Sequence, residues 1–252
     1  MDVILIPGFW LDASSWQEVT PLLEEAGHRV HPMTLPGLES VDADRSGIGL
    51  RDHIDAVVQL VDGFDEPVVL VGHSGGGAVA HGVADARPDR VARIVYVDAG
   101  PLADGDSVND ELPVVDGEIP LPDWSEFSEE DLIDLDDRLR AEFRARSIPE
   151  PIGAANDPIA LSDERRYDVP ITVIACEFPS AMLTEWIAAG AQYTRELAKV
   201  NHVDYVDLPT GHWPQFTKPV QLGQAIAATL ARSPRTPSAP DFRGFPSPHE
   251  PR

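Results

Sequence analysis

The sequence predicts an α/β protein: a mostly parallel central sheet with helices on both faces and an inserted helical cap. Three observations carry that expectation. Short apolar, β-branched runs alternate with segments of helical period, which is the pattern of βαβ units. The alternation breaks once, over residues 101–168, and then resumes. Between the third strand and the helix after it, Gly72-His73-Ser74-Gly75-Gly76-Gly77 packs small residues around a sharp reversal.

Asp2–Ile6 reads as a short buried strand, ended by Pro7-Gly8-Phe9-Trp10. Ala13–Ala26 has helical spacing (Trp16, Val19, Leu22, Leu23) and stops at Gly27, a C′ glycine. Arg29–Leu35 is a second strand, closed by Pro36-Gly37, and Ser40–Leu50 is polar loop. Leu50–Phe64 is a helix with Ile54, Val57, Val58 and Val61 on one face. Pro67–Val71 is the third strand, the glycine-rich turn leads into a helix from Gly76 to Arg87, and Val91–Val97 is the fourth strand.

Residues 101–168 are rich in Pro, Asp and Glu. The spacing predicts one helix there, Glu129–Arg146, opened by Ser128-x-x-Asp131 as an N-terminal cap. Acids lead it and arginines end it, as the helix dipole favours. Leu132, Leu135, Leu139 and Phe143 form its apolar stripe. The rhythm then returns with a strand at Val169–Cys176, a helix at Ala181–Ala189, a strand at Val203–Leu208 and a helix at Lys218–Arg232. The expected organisation is therefore a core of residues 1–100 and 169–232, a cap insertion at 101–168 and a disordered, Pro-rich tail at 233–252.

Composition narrows the partners. The 252 residues hold 19 Lys and Arg against 43 Asp and Glu, a formal charge of -24. Nucleic acid and anionic membrane both call for basic patches, so neither is expected. No basic leader, long apolar run or cleavage site marks a targeting or spanning segment, and a soluble cytoplasmic protein is expected. The lone cysteine, Cys176, cannot pair within the chain. A small-molecule substrate and a monomer or homodimer are the remaining expectations.

In a parallel sheet, reactive groups collect at the carboxyl ends of the strands. Gly72-x-Ser74-x-Gly76 stands there in a strand–turn–helix context, the pattern of a nucleophile elbow. A serine hydroxyl needs a base. Of eight histidines, His28 and His31 flank the wrong end of a strand, His53 and His81 lie within helices, His202 precedes a strand and His249 is in the tail. His73 adjoins the serine and should point away. His212 alone directly follows a strand, in Leu208-Pro209-Thr210-Gly211-His212-Trp213, and is the expected base.

The imidazole needs a carboxylate to orient it. Asp98, after the strand next to the elbow strand, is preferred; Glu177, after Thr172–Cys176, is the alternative. An acyl-transfer oxyanion needs two N–H donors. Gly75 supplies one and the loop after the first strand the other, with Phe9 first and Trp10 second. Trp10, Trp124 and Trp213 are expected at the substrate entrance between cap and sheet.

Taken together, Pro7-Gly8-Phe9-Trp10, Gly72-His73-Ser74-Gly75-Gly76, Val95-Tyr96-Val97-Asp98-Ala99 and Gly211-His212-Trp213-Pro214-Gln215-Phe216 resemble the α/β-hydrolase superfamily. The order Ser, acid, His is the one that superfamily uses. The resemblance is greatest to small, cofactor-free esterases and lactonases, with hydroxynitrile-lyase-like relatives, and it implies no cofactor. Two departures stand out. His-Gly is common where this chain has Pro7-Gly8, and an aspartate is usual near Cys176-Glu177-Phe178-Pro179. Some members instead carry the acid 24 residues beyond the nucleophile, which is the offset from Ser74 to Asp98. No His-Glu-x-x-His or Cys/His cluster occurs, so no metal is expected. The expected activity is serine-dependent hydrolysis of small esters or lactones. A lyase or C–C bond hydrolase using the same Ser/His pair, and a non-catalytic ligand-binding protein, are the alternatives.

Overall fold

The structure, a computed structural model, describes residues 1–232. The tail predicted at 233–252 lies outside them. Six strands form one parallel sheet in the order β2-β1-β3-β4-β7-β8. They are β1 (Asp2–Ile6), β2 (Arg29–Pro32), β3 (Val68–His73), β4 (Val91–Val97), β7 (Ile171–Ala175) and β8 (Val203–Asp207). A separate two-stranded ribbon, β5 (Glu118–Ile119) with β6 (Glu150–Pro151), lies within residues 101–168.

Alternate residues of each central strand feed two cores. Ile4, Ile6, Leu70, Ile94 and Tyr96 face α2 (Leu50–Asp62) and α3 (Gly75–Ala86), where Ile54, Val57, Val79 and Val83 meet them. Val3, Leu5, Val69, Val71 and Val97 face the other way, toward Trp16, Leu23, Leu222 and Ile226. The last four come from a 3-10 turn at Ala13–Trp16, from α1 (Thr20–Glu25) and from α8 (Pro219–Leu230). Burying each such aliphatic side chain stabilises the fold by about 1.5–3 kcal/mol. A strand covered on both faces has no solvent side, which is why these segments read as continuous apolar runs.

The first helix is broken where one was expected over 13–26. The Asp12 carboxylate accepts from Ser14 N–H and holds a 3-10 turn, and Pro21, which lacks an N–H, sits in the first turn of α1. The expected helix over 129–146 is also shorter. Ser128 and Asp131 do exchange the reciprocal bonds of a capping box, at 2.7 and 3.1 Å. That box opens only a turn, because Asp134 takes a left-handed φ of 64°. The helix proper, α4 (Asp137–Arg146), restarts with Asp136 accepting from Leu139 N–H. Leu135 and Phe143 of the stripe are buried against Trp10, Ile119 and Trp213. Two short helices complete the set ahead of α8: α5 (Ile152–Asn156) and α6 (Ser180–Ala188), with one turn of α7 at Pro214–Thr217.

Strand register brings the reactive strand ends together. His73 pairs with Val97 and Val97 with Ile174, so the residues that leave these strands emerge side by side. Ser74 N–H donates to Val97 O at 3.2 Å, and Asp98 N–H to Ile174 O at 2.9 Å. No helix among the described residues is long and apolar enough to cross a membrane.

Candidate active site

The elbow is built by close backbone approach. A Cβ on Gly72 would stand 2.5 Å from Gly76 O, and one on Gly76 would stand 2.7 Å from Ile6 O. Only glycines let α3 start directly against β3 and β1. Ser74, between them, is forced to φ 51°, ψ -125°. Such a conformation costs an L residue on the order of 1–3 kcal/mol and persists only where its surroundings impose it. The side chain is thereby pushed out beyond the sheet at the N-terminus of α3, where the helix dipole favours negative charge.

His212 reaches this point from the loop after β8. Its Nε2 lies 2.8 Å from Ser74 Oγ, and its Nδ1 lies 2.8 Å from Asp98 Oδ2. Asp98 itself has φ 44°. Its other oxygen, Oδ1, accepts from the N–H groups of Cys176 and Glu177 at 2.9 and 3.2 Å. Glu177 Oε1 stands 2.7 Å from the same His212 nitrogen, yet it lies off the N–H line and accepts no hydrogen bond. The structure thus brings both sequence candidates to one imidazole and gives the hydrogen of Nδ1 to Asp98. With Nδ1 protonated, Nε2 is free to accept the Ser74 proton.

The electrostatics follow from two carboxylates facing one ring. Burial favours a neutral imidazole, but the Asp98 hydrogen bond and the nearby carboxylates of Asp98 and Glu177 outweigh it and hold His212 above its ordinary range. Burial acts to raise Asp98 as well, and the His212 bond and charge, with help from Glu177 and Cys176 N–H, bring it below the usual carboxylate range. Glu177 has burial working against its charge and Asp98 repelling it, and is pushed up to about 7. Like charges this close share protons as a unit. Asp98, Glu177 and His212 are also the group of described residues whose donor atoms, within 4.8 Å of one another, could reach one metal ion. An ion there would have to displace the Nδ1 hydrogen that ties His212 to Asp98.

His73 points away from Ser74, as expected from its place on the elbow. It still bears on the site: its Nε2 donates to His212 O at 2.7 Å, while its Nδ1 accepts from Gln215 Nε2 at 3.2 Å. Burial, with the neighbouring His212 charge, pushes His73 down to about 3, so it stays neutral and holds the histidine loop as a fixed tautomer. Gln215 follows His212 by three residues and is not among the expected site residues; its closeness in sequence to His212 is the one signal that points to it.

The loop Pro7–Trp10 lies against the elbow. A Cβ on Gly8 would stand 2.9 Å from Ser74 Cβ, and the Phe9 ring covers Gly75. Gly75 is the first residue of α3, so its N–H has no intrahelical partner. Trp10 N–H donates to Glu150 Oε2 at 3.0 Å and is therefore occupied. Of the two expected donors in this loop, Trp10 is the one the structure removes.

The tryptophans differ from expectation. Trp10 and Trp213 are only 6% and 2% exposed. Trp124 stacks edge-on with Trp213 at 5.8 Å, and Trp10 with Phe127 at 6.0 Å. These rings join residues 101–168 to the loops after β1 and β8. A cavity of about 460 Å³ lies instead beside His212, with Asp98 and Glu177 at its polar end and Val173, Leu183, Trp186, Tyr193 and Leu197 on its walls. Aromatic residues in loops gave no sign in the sequence of which would be buried, because that depends on the packing of an aperiodic insertion.

The alpha/beta hydrolase family matches residues 3–225, most of the chain. The chain belongs to the alpha/beta hydrolase family. It is 28% identical over 246 residues to a pyrethroid hydrolase of Sphingobium wenxiniae, covering 90% of this chain and 86% of that one. Over a shorter stretch of 97 residues it is 35% identical to methylesterase 8 of Arabidopsis thaliana, 37% of this chain and 36% of that one. A crystal structure of a pyrethroid hydrolase superimposes with a TM-score of 0.67 at 25% identity, over 91% of this chain and 97% of that one.

Proposed function

We propose that this hydrolase is a serine esterase acting on neutral, apolar carboxylic esters, small lactones included. The observation that carries the reading is the unbroken chain Ser74 Oγ–His212 Nε2 and His212 Nδ1–Asp98 Oδ2, both links 2.8 Å, at a strained elbow. Relatives named methylesterase and pyrethroid hydrolase support it.

Ser74 Oγ attacks the ester carbonyl carbon as His212 Nε2 takes its proton. Asp98 stabilises the resulting imidazolium and keeps its orientation. The N–H groups of Gly75 and Phe9 bind the developing oxyanion. The tetrahedral species collapses, His212 returns the proton to the departing alcohol, and Ser74 is left acylated. Water then repeats the sequence with His212 as base, releasing the acid and the free serine. The apolar walls beside His212 suit a hydrocarbon or aryl group, and the Asp98–Glu177 end disfavours an anionic one. The segment 101–168 acts as the cap over these loops.

A fluorophosphonate probe with mapping of the labelled residue, together with a p-nitrophenyl ester panel, tests the reading. Label on Ser74 and a fall of roughly 10⁵–10⁶ in kcat for Ser74→Ala are expected. Equal turnover by both proteins, or label elsewhere, would sink it.

A further inference from the structure

Every polar group of Trp10 is bound by the inserted segment. Its N–H donates to Glu150 Oε2 at 3.0 Å, its carbonyl accepts from Ile148 N–H at 3.0 Å, and its indole N–H donates to Ile119 O at 3.1 Å. Trp10 needs such restraint, because it holds a left-handed φ of 65° that a bulky residue does not adopt unforced. The Glu150 side of the clamp is itself unusual. Its carboxyl is 1% exposed, on the two-residue strand β6, in surroundings that push it up to about 8 by burial despite the Trp10 N–H and nearby Arg45. Arg45 steadies that strand and its partner, donating to Pro149 O at 2.8 Å and to Glu118 Oε1 at 2.9 Å. Burying a carboxyl is costly, and apolar packing gives no reason for one here. What it supplies is an acceptor. Glu150 also lines a small cavity together with Phe9 and Gly75, the two residues whose N–H groups the esterase reading assigns to the oxyanion.

We propose that Glu150 is a positioning residue for the oxyanion hole: by accepting the Trp10 N–H, it holds the strained Phe9–Trp10 peptide so that Phe9 N–H stays aimed at the substrate carbonyl oxygen. The proposal rests on the esterase reading above. Gly8 keeps the loop pressed on the elbow, so losing the acceptor does not free the loop. It lets the Phe9–Trp10 peptide rotate, which relieves the left-handed φ and, through the Phe9 backbone, turns the donor aside. The inserted segment thereby sets the geometry of the catalytic loop as well as covering it. A residue 140 positions away in sequence completes a site otherwise made by strand ends.

The experiment uses the full chain and the variants Glu150→Gln, Glu150→Asp and Glu150→Leu. Initial rates on p-nitrophenyl butyrate are divided by active sites counted with a fluorophosphonate at end point, and Tm is measured alongside. The Gln amide oxygen accepts at the same reach, so kcat per site should stay within about threefold of wild type. Leu has no acceptor and Asp is one methylene short, so both should lose about a hundredfold in kcat with KM little changed, the size expected for one misplaced oxyanion donor. A merely structural role would instead lower Tm or the number of titratable sites and leave kcat per site intact, and that result overturns the proposal. So does a Gln variant as slow as Asp. If the Leu variant fails to fold, the Gln–Asp pair decides alone. A wild-type protein that neither labels nor turns over ester refutes the esterase reading and this proposal with it; an active wild type with a flat series refutes this proposal only.

Discussion

Two walls meet at His212, and they are made of different material. The elbow wall is built on backbone against backbone, Gly72 on Gly76 and Gly76 on the end of β1, with Gly8 seated on the side chains of His73 and Ser74. The cavity wall is side chain against side chain: Phe178 and Trp186 at 5.3 Å, Trp186 and Tyr193 at 5.3 Å, with Leu183 and Leu197 between β7 and the turns after it. A backbone contact cannot yield without moving a strand. A side-chain contact repacks at modest cost. On the proposed mechanism chemistry and selectivity therefore reside in different places: the first wall fixes the reacting atoms, and the second can change its shape while the reaction stays the same.

The sharpest test of this division lies at the joint between the walls. Asp98 belongs to the fixed side, anchored by two backbone N–H groups, whereas Glu177 faces the cavity without an accepted hydrogen bond. Asp98→Asn should lower kcat/KM by on the order of 10³–10⁴, because an amide favours the wrong imidazole tautomer. Glu177→Gln should cost less than about tenfold. Steady-state rates on one p-nitrophenyl ester suffice, and the opposite order would transfer the acid role to Glu177.

Next comes the elbow itself. Gly76→Ala drives a Cβ onto Ile6 O at 2.7 Å and nearer still to the Pro7 carbonyl. Overpacking of this kind costs about 1–3 kcal/mol, and rigid neighbours place this site at the upper end. A Tm lowered by roughly 5–10 °C is expected by calorimetry. An unchanged Tm would mean that the elbow is softer than its contacts imply.

How far the sequence foretells these walls follows the same division. The strands are legible because burial on both faces demands unbroken apolar runs, and the strand-end rule then leads to Ser74, His212 and Asp98. The glycines announce the backbone wall directly, since nothing else fits a near contact. Glu150 is silent in the sequence: it sits in an aperiodic segment, and its partner Trp10 is met only through tertiary packing. Trp186 and Tyr193 are silent for a similar reason. Tyr193 lies in a 3-10 turn, Gln192–Thr194, and although Trp186 is on α6, helical spacing alone does not say that its ring meets a wall beside His212. The choice between Asp98 and Glu177 turns on the angle of one N–H bond, a quantity no spacing encodes.

On the cavity wall the expected effects are smaller and selective. Trp186→Ala opens the apolar wall beside His212. KM for a naphthyl or benzyl ester should rise about tenfold, equal to 1.4 kcal/mol, while p-nitrophenyl acetate and Tm change little. Equal losses on large and small esters would place Trp186 with the fixed wall instead.

The smallest effect tests the electrostatic link between the walls. On the proposed mechanism His212 must be neutral to act as base, so activity falls as pH drops through its pKa. Asp98 and Glu177 both raise that pKa, because each stabilises the imidazolium against burial. The acid limb of kcat/KM should therefore lie above the ordinary histidine range near 6.5. Removing one of the two negative charges by Glu177→Gln weakens that stabilisation, lowers the pKa and moves the limb toward acid. A shift of about one unit is the low end for a charge this close, and it leaves the plateau rate nearly intact. A limb that stays in place would show that the Glu177 carboxyl already carries a proton over the range where His212 titrates, leaving Asp98 as the sole charge the imidazole feels.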